Sequence, residues 1–104
     1  MISTELCGLD QKTQEVLIDL FSKYPKIEKV VLYGSRAKGN FKNGSDIDLA
    51  LVAPQLSHQE LLALQNEIDD LLLPYKVDSL LFHQIDNPAL VEHIQRVGLN
   101  FYRS

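Results

Sequence analysis

Several features that would mark a special class of protein are scarce or missing in this sequence. Cys7 is the only cysteine among 104 residues, so no disulfide can form within the chain. So little cysteine is typical of a reducing cytoplasm, and we interpret Cys7 as a bystander near the amino terminus. No apolar stretch approaches membrane-spanning length, and residues 1–12 lack the basic run and apolar core of a signal peptide. We therefore expect a cytoplasmic protein with no membrane partner.

Basic residues are also in deficit. The sequence has 10 Lys and Arg against 14 Asp and Glu, which gives a net charge of −4. A broad nucleic-acid surface usually shows a basic excess, so we expect no nucleic-acid partner. No repeat or low-complexity linker divides the chain, and 104 residues with 45% apolar side chains suffice for one compact domain. We interpret residues 1–104 as a single domain.

What the sequence does contain is an alternation of helical and extended patterns. Apolar residues recur at helical spacing from about Asp10 to Tyr24, whereas runs such as VVLY are rich in the β-branched and aromatic residues of strands. The predicted order is helix, strand, turn, strand, helix, strand, helix. We expect strands at residues 27–33, 46–53 and 75–82, helices before Pro25, after Ser57 and after Asn87, and a short edge strand at residues 99–102.

Local signals fix two helix starts and the strand connections. Ser57 and Glu60 fit a capping box, and Asn87 followed by proline fits an N-cap. The helix after Ser57 is expected to place on one side Leu61, Leu64, Ile68, Leu71 and Leu72. The turn signal Asn43-Gly44 predicts an antiparallel strand pair, and the strand–helix–strand unit that follows predicts a parallel crossover. The predicted fold class is α/β (α+β), a small mixed sheet with helices packed on it.

The sequence DIDLAL places two acids at the start of an otherwise apolar strand. Because side chains in a strand alternate between faces, Asp46 and Asp48 point the same way and Ile47 points into the opposite layer. Two carboxylates on one face repel each other, and partial burial adds a desolvation cost of several kcal/mol per ion. They are tolerated if both stay hydrated or if cations lie between them. Acidic oxygen ligands suit Mg²⁺, although an isolated DxD is more often a solvated pair.

A third acid and a glycine-serine bend favour the metal-binding interpretation. Asp78 lies near the start of the third strand, and parallel strands begin at the same edge of a sheet, so Asp78 can face the other two acids. It is then a candidate base, or a group that tunes the metal. Gly34-Ser35 ends the first strand beside the same edge, where backbone amides and a hydroxyl suit a phosphate. Arg36 could add charge-assisted contacts. Together these groups predict nucleotidyl transfer.

The residues of this edge resemble a known signature. Gly34-Ser35, ten intervening residues and then Asp46-Ile47-Asp48 match the GS-x10-DxD signature of the DNA polymerase β-like nucleotidyltransferases. Asp78 in VDSLLF is similar to the third carboxylate of that family. Further agreement with the common form of the motif comes from Ala37, Gly39, Ser45 and Leu49. The predicted element order also agrees with the catalytic core of the family.

The short chain resembles in particular the minimal nucleotidyltransferases, which are typically paired as antitoxins with a HEPN-domain toxin. The resemblance implies that Asp46 and Asp48 bind Mg²⁺, that Asp78 assists catalysis in the same metal site, and that Gly34 and Ser35 hold the triphosphate of ATP. It further implies transfer of AMP from ATP to a tyrosine hydroxyl of the toxin, within a hetero-oligomer. Two alternatives stay open: neutralisation by occlusion with nucleotide binding only, and nucleotidyl transfer to a small molecule or an RNA end.

Other polar residues show no pattern that indicates chemistry. The three histidines, His58, His83 and His93, lack metal-ligand spacing, and we interpret them as structural or solvent-exposed. Asp69-Asp70 are adjacent on a helix and point about 100° apart, so they form a solvated face rather than a metal site. The tyrosines are interpreted as packing residues, with Tyr33 the exception of interest because it adjoins the Gly34-Ser35 bend.

Overall fold

The computed structural model of the chain describes residues 7–42 and 44–104. Within them the elements follow an order close to the prediction. Their bounds are α1 Gln11–Ser22, β1 Lys29–Tyr33, α2 Ser35–Lys38, β2 Ile47–Val52, α3 His58–Asp70, β3 Val77–Leu81, a 3-10 turn at Phe82–Gln84, α4 Pro88–Val97 and β4 Leu99–Arg103. Among these described residues, no helix is both long enough and apolar enough to cross a bilayer.

The four strands form one mixed sheet with the order β3-β2-β1-β4. β1 pairs antiparallel with β2 and with β4, whereas β2 pairs parallel with β3. The connection from β2 to β3 through α3 is the crossover that a parallel pair requires. The predicted fold class is therefore confirmed, as are the antiparallel and parallel pairings.

The two faces of the sheet are packed differently because side chains alternate along each strand. Ile47, Leu49 and Leu51 of β2 are fully buried in the main core, which also contains Phe21 of α1 and Leu64 of α3. Burying a side chain of this size stabilises the fold by about 1.5–3 kcal/mol. The main core therefore fixes which β2 residues face the opposite way.

The opposite face has a smaller apolar cluster, made by Val31, Tyr33, Ala50 and Ile94 with Leu90 packed against it. Ile94 and Leu90 belong to α4, so this helix covers part of the second face. The chain entering α4 is held by Asn87, whose Oδ1 accepts hydrogen bonds from Ala89 N at 2.9 Å and Leu90 N at 3.4 Å. The predicted N-cap is confirmed.

The capping box at the start of α3 is also present. The Glu60 amide donates to Ser57 Oγ at 3.1 Å, and the Ser57 amide donates to Glu60 Oε1 at 3.0 Å. Each side chain thus satisfies an amide that the first helical turn leaves without an intrahelical partner. The predicted turn at Asn43-Gly44 lies partly outside the described residues, because Asn43 is not among them.

Two expectations about apolar residues were wrong. Leu72 does not share the buried side of α3, because the helix ends at Asp70 and Leu72 adopts a φ of 53°, which leaves its side chain 87% exposed. Cys7 is no bystander, since it is fully buried in the main core and Gln14 Nε2 donates to its Sγ at 3.8 Å. In both cases the exposure of the side chain depends on tertiary packing, which the local sequence pattern does not show.

Candidate active site

Three adjacent strands bring polar side chains into one row. The register pairs Asp48 of β2 with Asp78 of β3, and it pairs Tyr33 of β1 with Asp48. Side chains directly opposite one another in a sheet share a face, so these three side chains lie side by side. Asp46 lies one residue before β2, which begins at Ile47 and not at residue 46 as predicted, and its charge acts on Asp48, so it belongs to the same group. The structure thus brings together the three acids that the sequence selected, Asp46, Asp48 and Asp78, which we name the carboxylate cluster.

The members of the carboxylate cluster differ in exposure. Asp78 is exposed on the edge strand β3, whereas Asp46 and Asp48 are half-buried. Burial, followed by the negative charges of Asp78 and Asp46, raises the pKa of Asp48. The charges of His93 and Lys76 act in the opposite direction but do not cancel this effect. The negative charges of the cluster therefore repel one another, and a nearby cation would stabilise the ionised carboxylates.

The Gly-Ser turn, Gly34-Ser35, lies directly against this cluster. Gly34 has φ 78° and ψ −155°, a region of backbone conformation that is almost restricted to glycine. A Cβ added to Gly34 would collide with Oδ2 of Asp48. Ser35 follows as the first residue of α2 and is half-buried. The sequence also predicted a glycine-serine bend beside the acids, and the structure places the Gly-Ser turn there.

Arg36 differs from the expectation of a phosphate ligand. Its side chain is only 2% exposed, and Nε and Nη2 both donate to the carbonyl oxygen of Ser45, at 3.1 and 2.9 Å. Nη1 donates to the carbonyl oxygen of Cys7 at 2.9 Å. The guanidinium also lies 4.9 Å from the ring centre of Tyr75 and 5.4 Å from that of Phe41.

These contacts give Arg36 a structural position instead. The guanidinium links the turn that follows β1 to the backbone immediately before Asp46. Its positive charge is stabilised by carbonyl oxygens and by two aromatic faces. A buried group with these partners is not available to a nucleotide phosphate. The physical reason is direction: successive helical residues point about 100° apart, so Arg36 faces inward although it adjoins Ser35.

His93 is the residue at this site that the sequence did not single out. Its Nε2 accepts a hydrogen bond from the amide of Gly34 at 3.3 Å, although the two residues are far apart in the chain. Its ring meets Tyr33 edge-on, with 6.3 Å between the ring centres. Its spacing in the sequence could have identified it, because His93 lies three residues after Leu90, on the side of α4 that faces the sheet.

Tyr33 also lies at the site, as its position next to the Gly-Ser turn suggested. Burial, and then the charges of Asp48 and Asp78, raise the pKa of Tyr33 to about 12. Its hydroxyl therefore stays protonated at neutral pH. A protonated phenol is a weak nucleophile, and Tyr33 belongs to the small apolar cluster, so this exception among the tyrosines packs as the others were expected to do.

The carboxylate cluster suits a hard divalent cation on chemical grounds. Mg²⁺ binds oxygen ligands and usually keeps several waters, so it needs only one or two carboxylates plus substrate phosphates. Within the described ranges, no group of three or more Asp, Glu, His or Cys side chains is close enough to enclose a metal ion. Asp46, Asp48 and Asp78, the three predicted metal ligands, therefore do not form an all-protein cage, and a magnesium site here would have to be completed by substrate phosphates and water.

A family model matches this arrangement and most of the chain. The model described as Polymerase beta, Nucleotidyltransferase matches residues 15–104. The chain belongs to this nucleotidyltransferase family. The match covers the Gly-Ser turn and the whole carboxylate cluster, and it confirms both the resemblance stated from the sequence and the assignment as a nucleotidyltransferase. No curated protein is similar enough in sequence to match the chain.

Several solved structures share the fold of this family member. One is a toxin-antitoxin crystal structure with AMP-PNP, with a TM-score of 0.69, 21% identity, and coverage of 91% of this chain and 75% of that chain. The MntA-HepT toxin-antitoxin has a TM-score of 0.68 and 21% identity over 91% and 74% of the two chains. A tri-AMPylated Shewanella oneidensis HEPN toxin in complex with MNT antitoxin has a TM-score of 0.68 and 20% identity over 92% and 74%. At these identities the likeness shows a common fold.

Proposed function

We propose that this nucleotidyltransferase moves AMP from ATP to a tyrosine hydroxyl of a HEPN-domain toxin, depends on Mg²⁺, and thereby acts as an antitoxin. The observation that carries the proposal is the position of the carboxylate cluster directly against the Gly-Ser turn. Nucleotidyl transfer requires that the phosphates be positioned and that the charge developing on them be stabilised, and a phosphate-binding turn beside a metal-binding acidic group can do both.

Each residue has a defined part in the proposed reaction. Asp46 and Asp48 hold the divalent ion, and the Gly-Ser turn holds the triphosphate with its amides and hydroxyl. Mg²⁺, when bound, supplies positive charge that neutralises the phosphate oxygens. Asp78, which is the exposed member of the cluster, stands where an incoming acceptor reaches it first.

The proposed transfer forms one bond to the α-phosphorus of ATP and breaks another. The tyrosine oxygen of the acceptor forms a bond to the α-phosphorus of ATP, and the bond between that phosphorus and the bridging oxygen to the β-phosphate breaks. Pyrophosphate leaves with the electron pair of the broken bond. The phenolic proton passes to Asp78, which acts as the general base and then returns the proton to solvent.

The acceptor is proposed to come from another chain for two reasons. β3 lies at an edge of the sheet and carries the exposed Asp78, so a protein surface can approach the cluster from that side. The solved structures of similar fold include complexes of a HEPN toxin with an MNT antitoxin, one of them tri-AMPylated, and a toxin-antitoxin with AMP-PNP. We therefore propose a hetero-oligomer of this chain with a HEPN-domain toxin, with ATP as the AMP donor.

The test is transfer of labelled AMP from ATP to a HEPN-domain toxin, with and without Mg²⁺. The double variant Asp46→Asn/Asp48→Asn should lose transfer by about 100-fold or more, as expected when a group that stabilises the transition state is removed. The matched control is Asp69→Asn/Asp70→Asn, which removes two exposed carboxylates from α3 and should leave transfer unchanged.

The remaining results separate the alternatives. A toxin still neutralised by the Asp46→Asn/Asp48→Asn variant, with no label transferred, would favour occlusion over catalysis. Efficient labelling of a free small molecule in the absence of any partner protein would favour a small-molecule acceptor. Equal transfer with Mg²⁺ and with EDTA would contradict the magnesium requirement.

A further inference from the structure

His93 makes an unusual link between α4 and the Gly-Ser turn. The registered pairs between β1 and β2 end at Tyr33 and Asp48, so the amide of Gly34 lies beyond the strand ladder. Its hydrogen bond goes instead to Nε2 of His93, at 3.3 Å. An amide in a partly buried place that lacked this acceptor would carry a desolvation penalty. The imidazole therefore completes the hydrogen bonding of the turn.

The ring of His93 is held in place by the packing of its own helix. Leu90 and Ile94 of α4 pack into the small apolar cluster of the second face, one on each side of His93 along the chain. The edge-on contact with Tyr33 fixes the ring from the direction of β1. A ring nitrogen accepts a hydrogen bond only when it carries no proton, so the contact uses Nε2 as an acceptor.

Gly34 is consequently held between two groups. Its amide faces His93 Nε2, while the position that a side chain would occupy faces the carboxylate of Asp48. Any shift of the turn therefore changes its distance from the carboxylate cluster. A misplacement of about 1 Å at a reacting site can cost roughly 100-fold in rate, so an acceptor that fixes Gly34 has kinetic consequences.

We infer that His93 is a positioning residue for nucleotidyl transfer, acting through the backbone amide of Gly34 on the Gly-Ser turn. The inference rests on the proposed function for its kinetic part. Its structural part, that an acceptor at position 93 holds the Gly34 amide, stands on the contact itself. His93 is not assigned a contact with substrate or a proton-transfer step.

Three variants separate the hydrogen bond from simple packing. His93→Gln keeps an acceptor oxygen on a side chain of similar reach, whereas His93→Leu keeps an apolar filler without an acceptor. His58→Leu is the matched control, because His58 is exposed at the first position of α3. Thermal unfolding of all three confirms that each variant is folded before the comparison is made.

The first readout is hydrogen exchange at the Gly34 amide, measured by NMR without nucleotide or partner. Loss of one hydrogen bond should raise the exchange rate in His93→Leu roughly fivefold, whereas His93→Gln and His58→Leu should stay close to the unmodified chain. An unchanged Gly34 exchange rate in His93→Leu overturns the inference. Equal acceleration in His93→Gln and His93→Leu also overturns it, because ring packing rather than the acceptor would then be responsible.

The second readout is AMP transfer. His93→Leu should lower kcat by about 10-fold to 100-fold with a smaller change in KM for ATP, and His93→Gln should recover most of the loss. Normal kcat in His93→Leu overturns the kinetic part. If the unmodified chain transfers no AMP, the proposed function fails, and the exchange measurement alone then decides whether His93 positions the turn.

Discussion

Replacing Gly34 by alanine tests the contact between the Gly-Ser turn and the carboxylate cluster. Gly34 has φ 78° and ψ −155°, and a non-glycine residue held in such a region costs about 1–3 kcal/mol. The added Cβ would also collide with Oδ2 of Asp48, which is the end of a flexible side chain and can move aside at little cost in stability. We therefore expect Gly34→Ala to lower the free energy of unfolding by about 1–3 kcal/mol, mostly through backbone strain.

The chain offers a matched control in Gly39, at the end of α2. Gly39 also has a positive φ, 84°, with ψ 3°, but nothing lies within 4 Å of an added Cβ. Gly39→Ala should therefore cost only the strain of a left-handed residue, about 1–2 kcal/mol. Comparing AMP transfer in the two variants then separates the contact with Asp48 from the general effect of replacing a glycine with a positive φ.

The assays are urea unfolding and AMP transfer. Each kcal/mol should lower Tm by roughly 4–8 °C in a domain of this size, so thermal unfolding gives the temperatures at which each variant is folded. Gly39→Ala should keep its activity at temperatures where it is folded. Gly34→Ala should lose activity even where it is folded, because the carboxylate of Asp48 must move away from the new methyl group.

If folded Gly34→Ala transferred AMP as fast as Gly39→Ala, the Gly-Ser turn could not be pressed against Asp48. An equal loss of activity in both variants would point to backbone strain in general and not to the contact with the carboxylate cluster.

Three further predictions concern Arg36, Asp48 and Ser57. Arg36→Lys cannot reproduce the paired donation to Ser45, so it should lower the free energy of unfolding in urea by about 2–4 kcal/mol; a change within error would contradict the structural role of Arg36. Asp48→Asn should raise Tm at pH 7 in EDTA, because the raised pKa of Asp48 makes its charged form oppose folding. The gain should shrink as pH falls through that raised pKa and be lost below about 3.8, and a gain that grew as pH fell would contradict the prediction. Ser57→Ala should cost about 0.5–2 kcal/mol through the loss of the capping box while AMP transfer stays unchanged.

The carboxylate cluster could be predicted from sequence because it depends on short-range rules. The parallel crossover through α3 puts Asp78 beside Asp48, and Asp46 lies only two residues from Asp48, just before β2 begins. The Gly-Ser turn ends the strand that pairs antiparallel with β2, so its place beside the acids also follows from topology. None of these inferences needed the exact packing of a helix.

The roles of Arg36 and His93 could not be predicted in the same way. Proximity in sequence to the Gly-Ser turn says nothing about which side of a one-turn helix faces inward, and Arg36 turned out to face the carbonyl oxygens of Cys7 and Ser45. His93 reaches Gly34 only because α4 packs across the second face of the sheet. Both outcomes depend on contacts between segments that are distant in the chain.

The pattern DIDLAL shows how one strand serves both the core and the site. Alternate residues Ile47, Leu49 and Leu51 are fully buried in the main core, whereas the other face of β2 changes from Asp48 to the buried Ala50 within two residues. Ala50 belongs to the small apolar cluster beneath α4, together with Ile94, whereas Asp48 does not. Covering Asp48 as completely as Ala50 would add the cost of burying a charge next to two other carboxylates. The sheet is therefore only partly covered at Asp48, and in the proposed reaction a cation and the substrate compensate its charge.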